Sequence, residues 1–64
     1  MKIKRIIGIL KLEADNALYD DASGMLKHRE DLKPADRTIY DAHREAAKLL
    51  EEALEKGAIS DGGN

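Results

Sequence analysis

The sequence predicts an all-α fold: an antiparallel helical hairpin that dimerises into a four-helix bundle. Apolar residues recur at helical spacing in both halves of the 64-residue chain, on either side of a break near Pro34. The chain contains no cysteine, tryptophan or phenylalanine, so neither disulfides nor large aromatic side chains can reinforce its core. A core of this size is marginal alone, and oligomerisation is the remaining common way to stabilise it.

The second helix is the clearest element of the sequence. Pro34 suits the first helical position, with Lys33 as its N-cap, and Gly57 is a standard helix stop. Charged residues occupy one half of the helix circumference between these limits. The apolar half consists of Ile39, Tyr40, Ala42, His43, Ala46, Ala47, Leu49, Leu50, Ala53 and Leu54.

The first helix is expected to begin near Lys2, and two positions are open for its end. Gly24 after Ser23 can stop a helix as a left-handed cap. Alternatively, one continuous or kinked helix runs to about Asp31 with a costly glycine inside it. We favour the continuous helix because connections in compact domains are short. In both cases the chain turns near Leu32.

The first helix has two apolar faces when its residues are plotted at about 100° each. The face assigned to the core, against the second helix, comprises Ile3, Ile6, Ile7, Leu10, Ala14, Ala17 and Leu18. The opposite face carries Ile9, Leu12, Asn16, Tyr19 and Leu26, here called the outer stripe. A helix with two apolar faces requires a partner on each side, so the outer stripe is the predicted partner-binding surface.

The spacing of the outer stripe alternates between three and four residues, as in a coiled-coil seam. Asn16 would occupy an inner position of that seam, where a polar side chain fixes register and partner choice at some cost in stability. We therefore expect the outer stripe to bind a protein target, with self-association into a dimer as its first candidate use.

The charges are unevenly distributed, although the net charge is only −2. The first eleven residues contain no acid and four bases, the candidate phosphate- or lipid-binding residues Lys2, Lys4, Arg5 and Lys11. These bases leave two alternatives open: nucleic-acid binding through the basic N-terminal turns, and attachment to a membrane surface through residues 1–12. The first apolar run is too short for an export signal or a membrane span, so a cytoplasmic location is expected.

Few residues offer catalytic chemistry. Asp21 and His43 would lie near each other if the first helix were continuous, and could then form a pH-sensitive pair. Glu51-Glu52-x-x-Glu55 resembles the EExxE signature of all-α nucleotide pyrophosphohydrolases of the MazG type, in which such carboxylates bind Mg²⁺. The second acidic motif of those enzymes has no counterpart here. We expect no enzymatic activity, no cofactor and no metal site.

These observations predict one helical-hairpin domain over residues 1–59 and a flexible tail over residues 60–64. The plan is similar to that of the plasmid RNA-binding protein Rop, another short hairpin that dimerises, although no motif is shared. The expected function is that of a small accessory, regulatory or inhibitory factor of the phage or plasmid type, acting through the outer stripe. A Rop-like dimeric nucleic-acid binder is the alternative.

Overall fold

The computed structural model describes residues 2–60 and consists mainly of two helices packed against each other. The elements in chain order are helix α1 (Ile3–Leu18), strand β1 (Tyr19–Asp20), strand β2 (Met25–Leu26), a 3₁₀ turn (Arg29–Asp31) and helix α2 (Pro34–Glu55). The helices run in opposite directions, which makes the chain a helical hairpin 45 Å long, 19 Å wide and 14 Å deep. The predicted helical hairpin is confirmed at this level.

Helix α1 ends at Leu18, so the prediction of a helix continuing to about Asp31 is wrong. The next residues form a two-stranded antiparallel ladder in which Tyr19 pairs with Leu26 and Asp20 with Met25. Gly24 closes the turn between the strands at a φ of 71°, a left-handed conformation that glycine adopts without steric cost. An uninterrupted right-handed helix cannot contain that conformation, so the chain reverses here instead.

Helix α2 has the predicted limits. Pro34 begins it after an extended Lys33 that makes no side-chain capping bond. At the other end Gly57 has a φ of 73° and donates its N–H to Leu54 O, while Ala58 donates to Ala53 O. This pair of bonds is the Schellman arrangement, which satisfies the last carbonyl groups of a helix.

The buried core of the described residues is thin. Only Ile7, Ala14, Leu32 and Ala47 are buried, and no large side chain is fully enclosed. The face of α1 assigned to the core is therefore only partly covered, because Ile3, Ile6, Leu10, Ala17 and Leu18 keep intermediate exposure. One helix can cover only part of a wide apolar face, and a single hairpin supplies only one helix to do so.

Arg37 fixes the connection that leads into α2. Its Nη2 donates to the carbonyl oxygens of Glu30 at 3.3 Å and Leu32 at 3.2 Å, which ties the 3₁₀ turn to the first turns of the helix. Leu32 is 5% exposed and closes this end of the helix pair. Between residues 2 and 60, no helix has the length and hydropathy needed to cross a membrane.

Candidate interaction surfaces

The outer stripe lies on the side of α1 that faces away from α2. At 100° per residue, its helical positions are at least about 140° round the helix from buried Ala14. Leu12 is 58% exposed, Tyr19 52% and Leu26 60%, and Asn16 is exposed as well. Ile9 is 40% exposed, the lowest value among the four apolar residues. The predicted partner-binding residues thus form an apolar strip in contact with solvent.

Leu26 extends this strip through strand pairing, which the sequence reasoning missed. It lies on β2, directly across the ladder from Tyr19, and not on a continuation of α1. Residues paired in this way carry side chains on the same face of the ladder, with Cβ atoms about 5 Å apart. The strand register therefore extends the stripe beyond the end of the helix.

The turn beyond Tyr19 is held together by polar groups. The Asp20 carboxylate accepts the Ser23 hydroxyl at 2.8 Å and the Ala22 N–H at 3.4 Å. The hydrogen bond from Ser23 has the largest effect and holds the pKa of Asp20 below its usual value. Desolvation opposes this shift, and the bond from the Ala22 N–H adds to it. Ser23 Oγ also accepts the Met25 N–H at 3.3 Å. These bonds set the geometry that brings Leu26 beside Tyr19.

Two ion pairs lie along one flank of the hairpin, here called the charged flank. Lys11 Nζ donates to Glu51 Oε2 at 3.0 Å, and both side chains remain nearly half exposed. Arg29 donates from Nε and Nη2 to the two carboxylate oxygens of Asp41, at 2.7 and 2.5 Å. An open groove of about 690 Å³ follows this flank and includes both ion pairs, with Arg44 and Lys48 also in its wall.

The Arg29–Asp41 pair has a two-pronged geometry that favours the charged forms of both groups. The hydrogen bonds from Arg29 hold the pKa of Asp41 below its usual value, and the same bonds raise the pKa of Arg29. Both groups are exposed, so water screens the attraction and the pair acts mainly as a surface clip between the 3₁₀ turn and α2.

The four predicted phosphate- or lipid-binding bases do not form one site. Lys2, Lys4 and Arg5 are exposed at the beginning of α1, where the first turn contains no acid. Lys11 lies about two turns further along and is bonded to Glu51. The isoleucines between them are not turned outward as a group, because Ile7 is buried against α2.

The other flank of the hairpin is apolar. On α2, Glu51 lies about 40° to one side of buried Ala47, whereas Leu50, Ala46 and Ala53 lie to the other side. On α1, Lys11 and Leu10 likewise lie on opposite sides of Ala14. The apolar surface on this side begins with Ile6, Leu10 and Ala17 of α1 and Ile39, Ala46 and Ala53 of α2. It continues round α2 to Ala42 and Leu49, about 140° and 160° from Ala47. These eight residues are here called the apolar flank.

None of the residues of the apolar flank is buried. Ile39 is 50% exposed and Leu49 55%, and Ala42 is also exposed. The sequence reasoning identified the apolar half of α2 but did not separate the part of it that α1 leaves uncovered. The signal was nevertheless present, since an apolar half-circumference is wider than one neighbouring helix covers.

The residues considered for catalysis are not brought together. Asp21 is exposed in the turn between the strands, and His43 Nδ1 donates to Ile39 O at 2.8 Å within α2. Neither a hydrogen bond nor an ion pair joins the two side chains, and the continuous first helix on which their expected proximity depended is not present. Within residues 2–60, no three His, Asp or Glu side chains are grouped to hold a metal ion.

Comparison with protein-family models, curated proteins and solved structures finds no match for this chain. Function has therefore to be argued from the surfaces of the molecule.

Proposed function

We propose that this protein is a non-enzymatic interaction module, a helical hairpin that dimerises into a four-helix bundle and binds a protein target through the outer stripe. In this role it acts as an accessory, regulatory or inhibitory factor. The observation that carries the proposal is the solvent-exposed strip from Ile9 to Leu26, which has no covering element within residues 2–60.

The composition of the strip supports recognition of a protein. Tyr19 offers a rigid aromatic ring with a polar hydroxyl, a combination that is enriched where proteins bind each other. Leu12 and Leu26 supply apolar area on either side, and Asn16 supplies a polar group within the strip. A polar group there penalises partners that leave its hydrogen bonds unsatisfied, and this gives specificity.

Capture of the target from the source cell tests this proposal. Wild-type protein, Leu12→Asp and Tyr19→Asp are immobilised and the bound proteins are identified by mass spectrometry. The matched control is Ala58→Asp, which adds the same charge at an exposed position outside both surfaces. A target retained by wild type and Ala58→Asp but lost from both stripe variants is the expected result. Equal retention by all four proteins contradicts the proposal.

Nucleic-acid binding by a Rop-like dimer is the second candidate, and the beginning of α1 favours it. Lys2, Lys4 and Arg5 are exposed beside the positive end of the helix dipole, where cations are unfavourable and a phosphate group is favourable. This candidate predicts binding to RNA or DNA at low salt that weakens steeply as salt rises. Lys4→Glu with Arg5→Glu must then abolish it. An absence of salt-sensitive binding to either nucleic acid removes the candidate.

A further inference from the structure

Helix α2 carries a second seam on the apolar flank. Ile39, Ala42, Ala46, Leu49 and Ala53 are separated by three, four, three and four residues. That alternation keeps five positions along one line of a helix and is the pattern of a coiled-coil contact. Each position is exposed or half-buried, so α1 leaves the seam available for a neighbouring helix.

The large and small side chains of the seam are arranged so that an antiparallel second copy places each large one beside a small one. If two copies of α2 lie antiparallel about a two-fold axis at Ala46, Ile39 falls opposite Ala53 of the second copy. Ala42 then lies within one residue of the level of Leu49 of the second copy, and Ala46 meets its own equivalent. Each large side chain of the seam therefore lies beside an alanine of the second copy, and a two-fold axis repeats every contact.

The surface of the chain also fits a second copy. Its solvent-accessible area is 4809 Å² for a mass of 7.1 kDa, whereas a compact globular chain of that mass exposes about 4,100 Å². The radius of gyration is 14.0 Å, against about 11 Å for a compact domain of this length. The elongated hairpin therefore exposes more surface than a compact chain, and a standard interface uses roughly 800 Å² of it from each partner.

We infer that the apolar flank is the homodimer interface, in which α2 packs antiparallel on α2 of a second copy with the two-fold axis at Ala46. This inference rests on the proposed function and adds to it the surface used for dimerisation. Leu10 and Ile6 of α1 border the seam and extend the covered area beyond the alanines. The outer stripe lies on a different face, so the dimer presents two outer stripes to its target.

A single cysteine tests the position of the axis. The natural chain has no cysteine, so Ala46→Cys introduces the sole thiol. A disulfide requires Cα atoms within about 7 Å, a separation that two copies reach only if this residue lies at the axis. Under mild oxidation we expect most of the Ala46→Cys protein to become a covalent dimer, with little cross-linking of Leu12→Cys. Efficient linking of Leu12→Cys together with unlinked Ala46→Cys overturns the inference.

Paired glutamate variants test the energetics in solution. Leu49→Glu and Leu12→Glu add the same charge at similarly exposed positions, one on each surface. We expect light scattering across a dilution series to show a dimer dissociation constant at least about 100-fold higher for Leu49→Glu than for wild type. The reason is that dimerisation of this variant buries an unpaired carboxylate. For Leu12→Glu we expect a dissociation constant within about threefold of the wild-type value, because this position lies outside the proposed interface. The reverse order assigns dimerisation to the outer stripe and contradicts the inference.

The same variants separate this inference from the proposed function. A dimer that dissociates on Leu49→Glu, with target capture lost only on Leu12→Asp, supports both. If capture fails but Leu49→Glu still dissociates the dimer, the target proposal fails and the assigned dimer surface stands. If Leu49→Glu is unfolded, the cross-linking of Ala46→Cys in otherwise wild-type protein decides the matter.

Discussion

The two flanks of the hairpin are built from the same two helices and differ in whether their side chains find partners within one chain. On the charged flank, Lys11 finds Glu51 and Arg29 finds Asp41, and solvent hydrates what remains exposed. On the apolar flank, Ile39 and Leu49 are half exposed and have no comparable partner within residues 2–60. Polar groups can be satisfied by water, whereas apolar area is stabilised only when another surface covers it. The charged flank therefore needs only its own ion pairs and solvent, whereas the apolar flank needs a second molecule to cover it.

The line of small residues between the flanks is expected to be the most sensitive part of the molecule. Ala47 is 1% exposed, so Ala47→Asp places an unpaired carboxylate between the helices at a cost of at least about 3 kcal/mol. A chain with so small a core cannot absorb this, and loss of the helical circular dichroism signal is expected. Ser60→Asp, at an exposed position beyond the C-cap, is the control and should change stability by less than about 0.5 kcal/mol. A native spectrum for Ala47→Asp would mean that the helices pack differently.

Alanine substitutions on neighbouring residues compare the two flanks directly. Leu49→Ala on the apolar flank should lower stability by about 1–3 kcal/mol, because the side chain becomes covered in the dimer. Lys48→Ala on the charged flank should change it by no more than about 0.5 kcal/mol. Urea unfolding of both variants at two protein concentrations measures the difference. Equal effects would show that the flanks are equivalent, contrary to our account.

The Lys11–Glu51 ion pair on the charged flank is expected to contribute little to the stability of the fold. Lys11→Met keeps the apolar stem and removes the charge, so the loss should be about 0.5 kcal/mol and should vanish in 1 M salt. Thermal unfolding of wild type and variant at low and high salt provides the measurement. A large loss that persists in high salt would indicate that this flank, too, is covered by a partner.

The smallest expected effect is a pH dependence at Asp41. Its pKa is lowered in the folded chain by the bonds from Arg29, so the unfolded chain binds more protons in the acidic range. The stabilisation is therefore present above about pH 4, near the unfolded pKa, and is lost as pH falls through the lowered pKa. The stability of Asp41→Asn should therefore depend less on pH than that of wild type between about pH 4 and pH 2. Identical curves for the two proteins would show that the pair does not contribute.

The elements that follow local rules were predictable from the sequence. Pro34 and Gly57 determine the limits of α2 through proline geometry and a left-handed C-cap, and the structure has them at the expected positions. The end of α1 was not predictable in this way. Tyr19 and Leu26 fit a helical stripe as well as they fit paired strands, and the choice depends on the bonds among Asp20, Ser23 and Gly24.

The surfaces were predicted only in part, for a physical reason. Periodicity identifies which face of a helix is apolar, and Ile9, Leu12 and Asn16, which it places on the outer stripe, are all exposed on α1. It does not show how much of an apolar face a neighbouring helix will cover. The apolar flank became visible only when the exposures of Ile39 and Leu49 could be compared with the burial of Ala47. The predicted tail falls largely at residues 61–64, outside the described residues.

The central claim is that one chain leaves the apolar flank uncovered and a second copy covers it. Sedimentation equilibrium of the wild-type protein, with circular dichroism on the same samples, tests this claim most directly. We predict helical protein with twice the chain mass of 7.1 kDa at micromolar concentration, dissociating only on strong dilution. A folded helical species that remains at the mass of a single chain at the highest concentration would contradict the account.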